Sequence, residues 1–390
     1  MQLENFSGGA EMLKGFKRLN VVLAILLIIV MSLTACSKSQ NQAQISETSK
    51  ETVQTITVTD LVGRQVEVKG PVHKVVAIGP GALRLVTYVD GIDRIAGVEN
   101  IDKKLTNGRT YNMLFQEEFA KLPTIGQGGP DSTPDAEKLV QVNPDVIFVI
   151  SLLDKSKADD LQSKTGIPVI VLSYGKLGTF EEDIYTSLEI IGKVLGKEDR
   201  AKELVEYIKG IQKDLQDRTK DIPDDKKPTV YVGALGFKGA HGIESTQGNY
   251  PPFMAVNAKN VADTLGQKGS VMIEKEKLLA WNPDIIFIDE GNLDLVKQDY
   301  QKNPDFYNNL KAVKNGNVYG ILPYNQYNTN VDTALVDSYW VGKVLYPERF
   351  NDVDPVEKAK EIYAKFFGEK GKVLYDKMKE VYGGFEKIKF

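Results

Sequence analysis

Short, uninterrupted apolar runs recur along the chain, and each stops at a turn-forming residue. "HKVVAIG", "RIAGV", "DVIFVI" and "IPVIVLS" follow one another between residues 73 and 173. β-Branched runs of this length fit strands that are buried on both faces. Between them lie stretches with apolar residues at helical spacing, such as "PGALRLVTYVDG" and "TPDAEKLVQV". The alternation predicts a parallel sheet covered by helices on both sides. Ahead of the first run, residues 55–58 and 65–68 alternate apolar with polar around 60–63, the pattern of a hairpin.

From residue 179 to about 221 the pattern changes to a charged helical one. Ile184, Leu188, Ile191 and Leu195 hold one face, and Leu204, Tyr207, Ile208, Ile211 and Leu215 continue it. The spacing predicts a bridging helix within 179–222, roughly 45 Å long if more than 30 residues stay helical. Gly192 and Gly196 are the places for it to kink or break. After Pro228 the earlier rhythm restarts, with "TVYVGAL", "DIIFID" and "NVYGIL" as strands. From Asp332 onward the chain reads as helical, with Trp340, Leu345, Phe366 and Phe367 as core anchors. The fold class expected is α/β: two Rossmann-like lobes with mainly parallel sheets, residues 55–178 and 228–390, joined by the long helix.

One segment occurs twice. "EKLVQVNPDVIF" begins at Glu137 and "EKLLAWNPDIIF" at Glu276, with eight of twelve residues shared. Asn143 and Asn282 suit the left-handed conformation that closes a helix. Pro144 and Pro283 forbid its continuation. Each copy therefore encodes helix, stop and buried strand, one copy per lobe. A cleft between two such lobes, lined by strand C-terminal ends, is where open α/β sheets bind ligands.

The N-terminus bears on location. Lys14, Lys17 and Arg18 precede an apolar run from Val21 to Val30, too short to span a bilayer but suited to a secretory signal. It ends in "LTAC", and Cys36 is the one cysteine of the chain, so no internal disulfide is possible. A small residue before a lone cysteine at that place resembles the lipobox of bacterial lipoproteins. The resemblance implies cleavage after residue 35 and a lipid on Cys36. Residues 36–54 are polar and read as a flexible tether. A net charge of −4 with interspersed signs gives no basic footprint for nucleic acid. Two histidines and one cysteine argue against a site for a bare transition-metal ion. No Walker A or G-x-S-x-G motif is present, and "GPGALR" lacks the third glycine of a dinucleotide loop, so nothing points to an enzyme.

In order, the tether, the "KVVAIGPGALRLV" strand and helix, the paired "NPD" segments, the bridging helix and the second α/β lobe resemble the helical-backbone substrate-binding proteins of ABC importers, of the iron-chelate and cobalamin type. The resemblance covers nearly all of residues 55–368. It implies a lipid-anchored extracytoplasmic monomer, an ABC permease with its ATPase as partners, and limited lobe motion. It further implies that Glu137 and Glu276, each seven residues before its "NPD" proline, dock into arginine pockets on the permease.

Ligand-reading residues are expected in loops after strands. In the first lobe these are Arg84, Arg109, Tyr111, Gln127 and Tyr174; in the second, His241, Tyr250, Tyr324, Tyr327 and Asn328. The arginines suit an anionic complex. His241, Tyr324 and Tyr327 are candidates to complete a metal's coordination, phenolate oxygen being a hard ligand for ferric iron. The expected ligand is a metal chelate, a ferric siderophore or other iron complex, with no covalent cofactor beyond the lipid. A nickel chelate, a corrinoid or haem on the same scaffold, and a surface α/β enzyme, remain as alternatives at this point.

Overall fold

The repeated segments set up the frame. In the computed structural model, which describes residues 54–129, 133–150 and 154–390, the helix Ala136–Val142 closes at Asn143 with φ 49° and the helix Lys275–Trp281 closes at Asn282 with φ 42°. Both asparagines are left-handed, as the motif requires. The leader, the tether up to residue 53 and Cys36 lie outside the described residues.

Each "NPD" then feeds the third strand of a four-stranded parallel sheet. The first sheet runs in the order Ile95–Gly97, Val75–Ile78, Val146–Val149, Val169–Val171. The second runs Lys259–Asn260, Thr229–Gly233, Ile285–Asp289, Val318–Ile321. Counted in chain order, both sheets read 2-1-3-4. The motif aspartate explains why it recurs. Asp145 Oδ2 accepts from the His73 and Lys74 amides at 2.7 and 2.8 Å. Asp284 Oδ2 accepts from the Thr229 amide at 2.8 Å and its hydroxyl at 2.7 Å. In each lobe a carboxylate at the foot of the third strand ties down the foot of the first.

Alternation within the strands sorts the core. Val75, Ala77, Val146, Phe148 and Ile170 on one sheet share a cluster with Val230, Val232, Ile285, Phe287 and Ile321 on the other. The alternate residues face outward into separate clusters, such as Ile147 and Val149 in the first lobe and Ile286 and Ile288 in the second. Successive strand side chains point to opposite faces, so each sheet contributes one face to a common core. The helices Glu182–Leu195, Val331–Leu345 and Pro355–Phe367 fill that core between the sheets. Residues Val53–Phe390 accordingly form one compact unit.

The bridge differs from a single rod. It consists of two helices, Glu182–Leu195 and Glu198–Thr219, broken at Gly196 with φ 63°. They fold back against each other, and a Cβ on Gly192 would meet the Ala201 Cβ at 2.5 Å. Glycine there permits the close crossing. The longer helix spans about 33 Å at ~1.5 Å per residue. The hairpin Gln54–Thr59 with Gln65–Gly70 forms as its alternation predicts. A second antiparallel pair, Ser245–Gly248 with Gly269–Met272, has no such pattern in its "STQG" strand.

If the Asp284 clamp holds the second sheet as described, Asp284→Ala should lower unfolding free energy by about 1–3 kcal/mol, the cost of leaving strand-foot donors unpaired. Asp284→Asn, which keeps one acceptor oxygen, should cost less. Urea unfolding checks this; equal midpoints for Ala and wild type would refute it.

Candidate functional site: a basic cleft at the strand ends

Loops following the strands of both sheets converge on two adjoining hollows. The larger, about 730 Å³, is lined by Pro80, Ile101 and Arg109 from the first lobe and by Phe237, Lys238, Asn292 and Tyr327 among others from the second. The smaller, about 480 Å³, takes in Ser173, Tyr174 and Lys176 together with Lys268, Ser270 and Tyr324. Phe237, Asn325 and Asn328 line both, so the two form one cleft. Among the described residues its charged lining is Arg109, Lys238, Lys176 and Lys268, with no carboxylate in either hollow. On a chain of net charge −4 this is a local reversal of sign.

The expected ligand residues separate into two groups. Arg109, Tyr174, Tyr324, Tyr327 and Asn328 line the cleft. Arg84, Tyr111, Gln127, His241 and Tyr250 do not, and the structure gives each another task. Arg84 is wholly buried. It donates across the lobes to the carbonyls of Thr329 (2.9 Å), Gln326 (2.8 Å) and Tyr327 (3.3 Å), and to the Tyr174 hydroxyl at 3.3 Å. Tyr111 is equally buried and donates to Asp102 Oδ1 at 2.6 Å. The Gln127 side chain is exposed outside the cleft, and its backbone carbonyl accepts from the Ile101 amide at 3.1 Å. His241 Nε2 lies 2.8 Å from the Phe237 carbonyl, so this histidine fixes the loop that carries Phe237 and Lys238. Tyr250 packs between Phe253 and Tyr324 in the core. Tyr324 is itself 3% exposed. Among the described residues no group of three or more His, Cys, Asp or Glu side chains is arranged to hold a metal ion.

The cleft floor holds groups that the sequence reading missed. Glu99 is buried at the end of the second strand; its Oε2 accepts from the Gly79 amide and the Tyr327 hydroxyl, both at 3.0 Å. Burial raises its carboxyl to about 7, against the opposing pull of those two donors. Asp102 is likewise pushed above the ordinary carboxylate range by burial, opposed by Tyr111 and Arg109. The Arg109 guanidinium stacks over the Tyr327 ring with 4.5 Å to its centroid, and its Nε has no partner. The strand-end rule that flagged Gln127 applied equally to "VENID"; Glu99 and Asp102 were legible there. Lys238 and Phe237 sat in the loop from which only His241 was taken.

Glu137 and Glu276 occupy the first turns of the two equivalent short helices, both exposed. Those turns lie at the strand C-terminal side of each sheet, the side on which the cleft opens. Acidic side chains also suit a helix N-terminus.

A model of the periplasmic binding protein family matches residues 75–324. The chain belongs to that family. YvrC of Bacillus subtilis (strain 168), an uncharacterized ABC transporter substrate-binding lipoprotein, is 25% identical over 86% of this chain and 99% of its own length. The molybdate-binding protein MolA of Haemophilus influenzae is 28% identical over 80% of this chain and 90% of its own. Its molybdate-bound structure superposes with a TM-score of 0.62 at 26% identity, covering 80% of this chain and 97% of that one. The Fe(3+)-citrate-binding protein YfmC of Bacillus subtilis (strain 168) is 25% identical over 77% and 89%. The α/β fold with two parallel sheets is thus the fold of a solute-binding protein. Among the described residues no helix is long and apolar enough to cross a membrane.

Glu99 should leave a pH signature in stability. Its carboxyl titrates near 7 when folded against an ordinary 4.5, so between those values the native protein holds a proton that the unfolded chain has lost. Stability therefore falls as pH rises through that window. Glu99→Gln should flatten the fall by about 1–3 kcal/mol, measured by urea unfolding at pH 4.5 and 7.5. Parallel profiles would remove Glu99 as the source.

Proposed function

We propose that this protein is the extracytoplasmic, Cys36-anchored substrate-binding component of an ABC importer, and that it captures an anionic metal chelate, a ferric complex first among them. The observation that carries the ligand class is the cleft lining, which among the described residues has four cations and no carboxylate. A cleft of one sign focuses field and draws in ligand of the other. Arginine beside asparagine side chains fits an oxygen-rich anion, which needs both charge neutralisation and donors. Molybdate and ferric citrate, named for two relatives, are both anions of this kind. Corrinoids and haem offer large flat apolar faces, and neither tryptophan lines the cleft to meet one. Trp281 packs with Tyr231 in the second-lobe core and Trp340 stacks on Phe385.

Titrating the protein with ferric citrate, molybdate and a neutral sugar, followed by intrinsic fluorescence, tests the ligand class. Saturable binding of ferric citrate is expected, weakened at least tenfold in Arg109→Gln/Lys238→Gln and weakened by salt. Sugar binding that ignores both would overturn it.

The transport reading assigns permease docking to Glu137 and Glu276. Their equivalent places in two matched αβ units support a two-point contact with a permease that is itself two-fold. Glu137→Arg combined with Glu276→Arg should abolish cellular uptake of the chelate while leaving its affinity within twofold of wild type. Undiminished uptake would sink the assignment.

A further inference from the structure

We infer that Glu99, the Gly129 amide and Arg109 form a first-lobe subsite for a hydroxyl-bearing anion, and that Tyr327 occupies it until a ligand supplants that side chain. The inference rests on the ligand-binding reading above. Tyr327 belongs to the second lobe, yet its polar contacts are with the first. Its hydroxyl donates to Glu99 Oε2 at 3.0 Å and accepts from the Gly129 amide at 2.9 Å. Arg109 covers its ring at 4.5 Å. An acceptor, a donor and a cation around one hydroxyl are what a binding site offers to a ligand.

Three further observations separate this tyrosine from a structural one. It is only partly buried and lines the 730 Å³ hollow, whereas Tyr111 and Tyr250 lie in the core and Tyr324, which lines the smaller hollow, is 3% exposed. Its backbone is left-handed at φ 54°, and Asn328 follows at φ 69°. That conformation is rare for an aromatic residue and marks strain that its surroundings must hold in place. Finally, Arg109 is 7% exposed; its Nη1 donates to the Ile101 carbonyl at 3.3 Å and lies 3.7 Å from Asp102 Oδ1, while its Nε has no partner and is left for a ligand. A ligand that replaces Tyr327 must supply a hydroxyl that both donates and accepts, and a negative charge for Arg109. Complexes of hydroxy acids and of phenolic chelators meet both conditions.

On this reading Tyr327 competes with the ligand, and its removal tightens binding. Calorimetry on the full chain, with p-cresol as a probe of the vacated subsite and ferric citrate as the anion, tests it. Tyr327→Ala should bind p-cresol at one saturable site but not p-xylene, and wild type should bind neither. Tyr327→Phe keeps the ring and loses the hydroxyl contacts; it should bind ferric citrate at least threefold tighter than wild type. Should the alanine variant fail to fold, the phenylalanine variant decides. Where wild type binds ferric citrate, binding no tighter in Tyr327→Phe overturns the inference, as does an absence of p-cresol binding by a folded Tyr327→Ala. If p-cresol fills the alanine variant while no protein binds ferric citrate, the subsite stands and the ferric reading falls.

Discussion

A single buried guanidinium joins the two halves of this molecule. Arg84 rises from the first helix of the first lobe with no exposed surface, and spends its donors on the backbone of residues 326–329 in the second. An ionised group so deep must be hydrogen-bonded and charge-balanced, because its desolvation otherwise costs several kcal/mol. The carbonyls supply the bonds, and Arg84 in turn opposes the upward push of burial on the neighbouring carboxyls of Asp102 and Asp332. Asn328 Nδ2 on the Pro80 carbonyl, Asn330 Nδ2 on the Gly108 carbonyl and Tyr88 on Asp332 close the same seam. The cleft-lining loop 325–329 of the second lobe is therefore positioned by the first.

That seam and the shared apolar core set the mechanical character of the protein. Opening the lobes as rigid halves would expose one face of each sheet and the helices between them, a large apolar penalty. A scaffold that fixes the relative placement of its lobes also fixes the separation of Glu137 and Glu276. For a two-point docking contact, a constant separation is the useful property.

Charge is distributed to match. The surface is mildly acidic, and cations gather where the strand ends meet. The acids nearest the cleft, Glu99 and Asp102, sit below its lining, and burial keeps both above the ordinary carboxylate range. Glu99, raised to about 7, therefore carries less negative charge near neutral pH than an ordinary carboxylate and cancels less of the positive field in front of it.

The sequence by itself determined the local elements and their order. Uninterrupted β-branched runs, glycine and proline stops and the doubled "NPD" segment specify strand, turn and helix by steric rules that operate within a few residues. Two parallel sheets and a helical bridge follow from them, and the break at Gly196 lay at a glycine already suspect. Tertiary structure alone decided which polar side chains meet. Arg84 and Arg109 look alike in sequence, each a basic residue near a helix start after a strand; one became a strut between lobes and the other a cleft wall. His241 and Tyr250 flank the short strand Ser245–Gly248, yet one braces backbone and the other fills the core. Burial and partnership depend on what arrives from residues up to 245 positions away, as Arg84 and Thr329 do, and no local pattern carries that information.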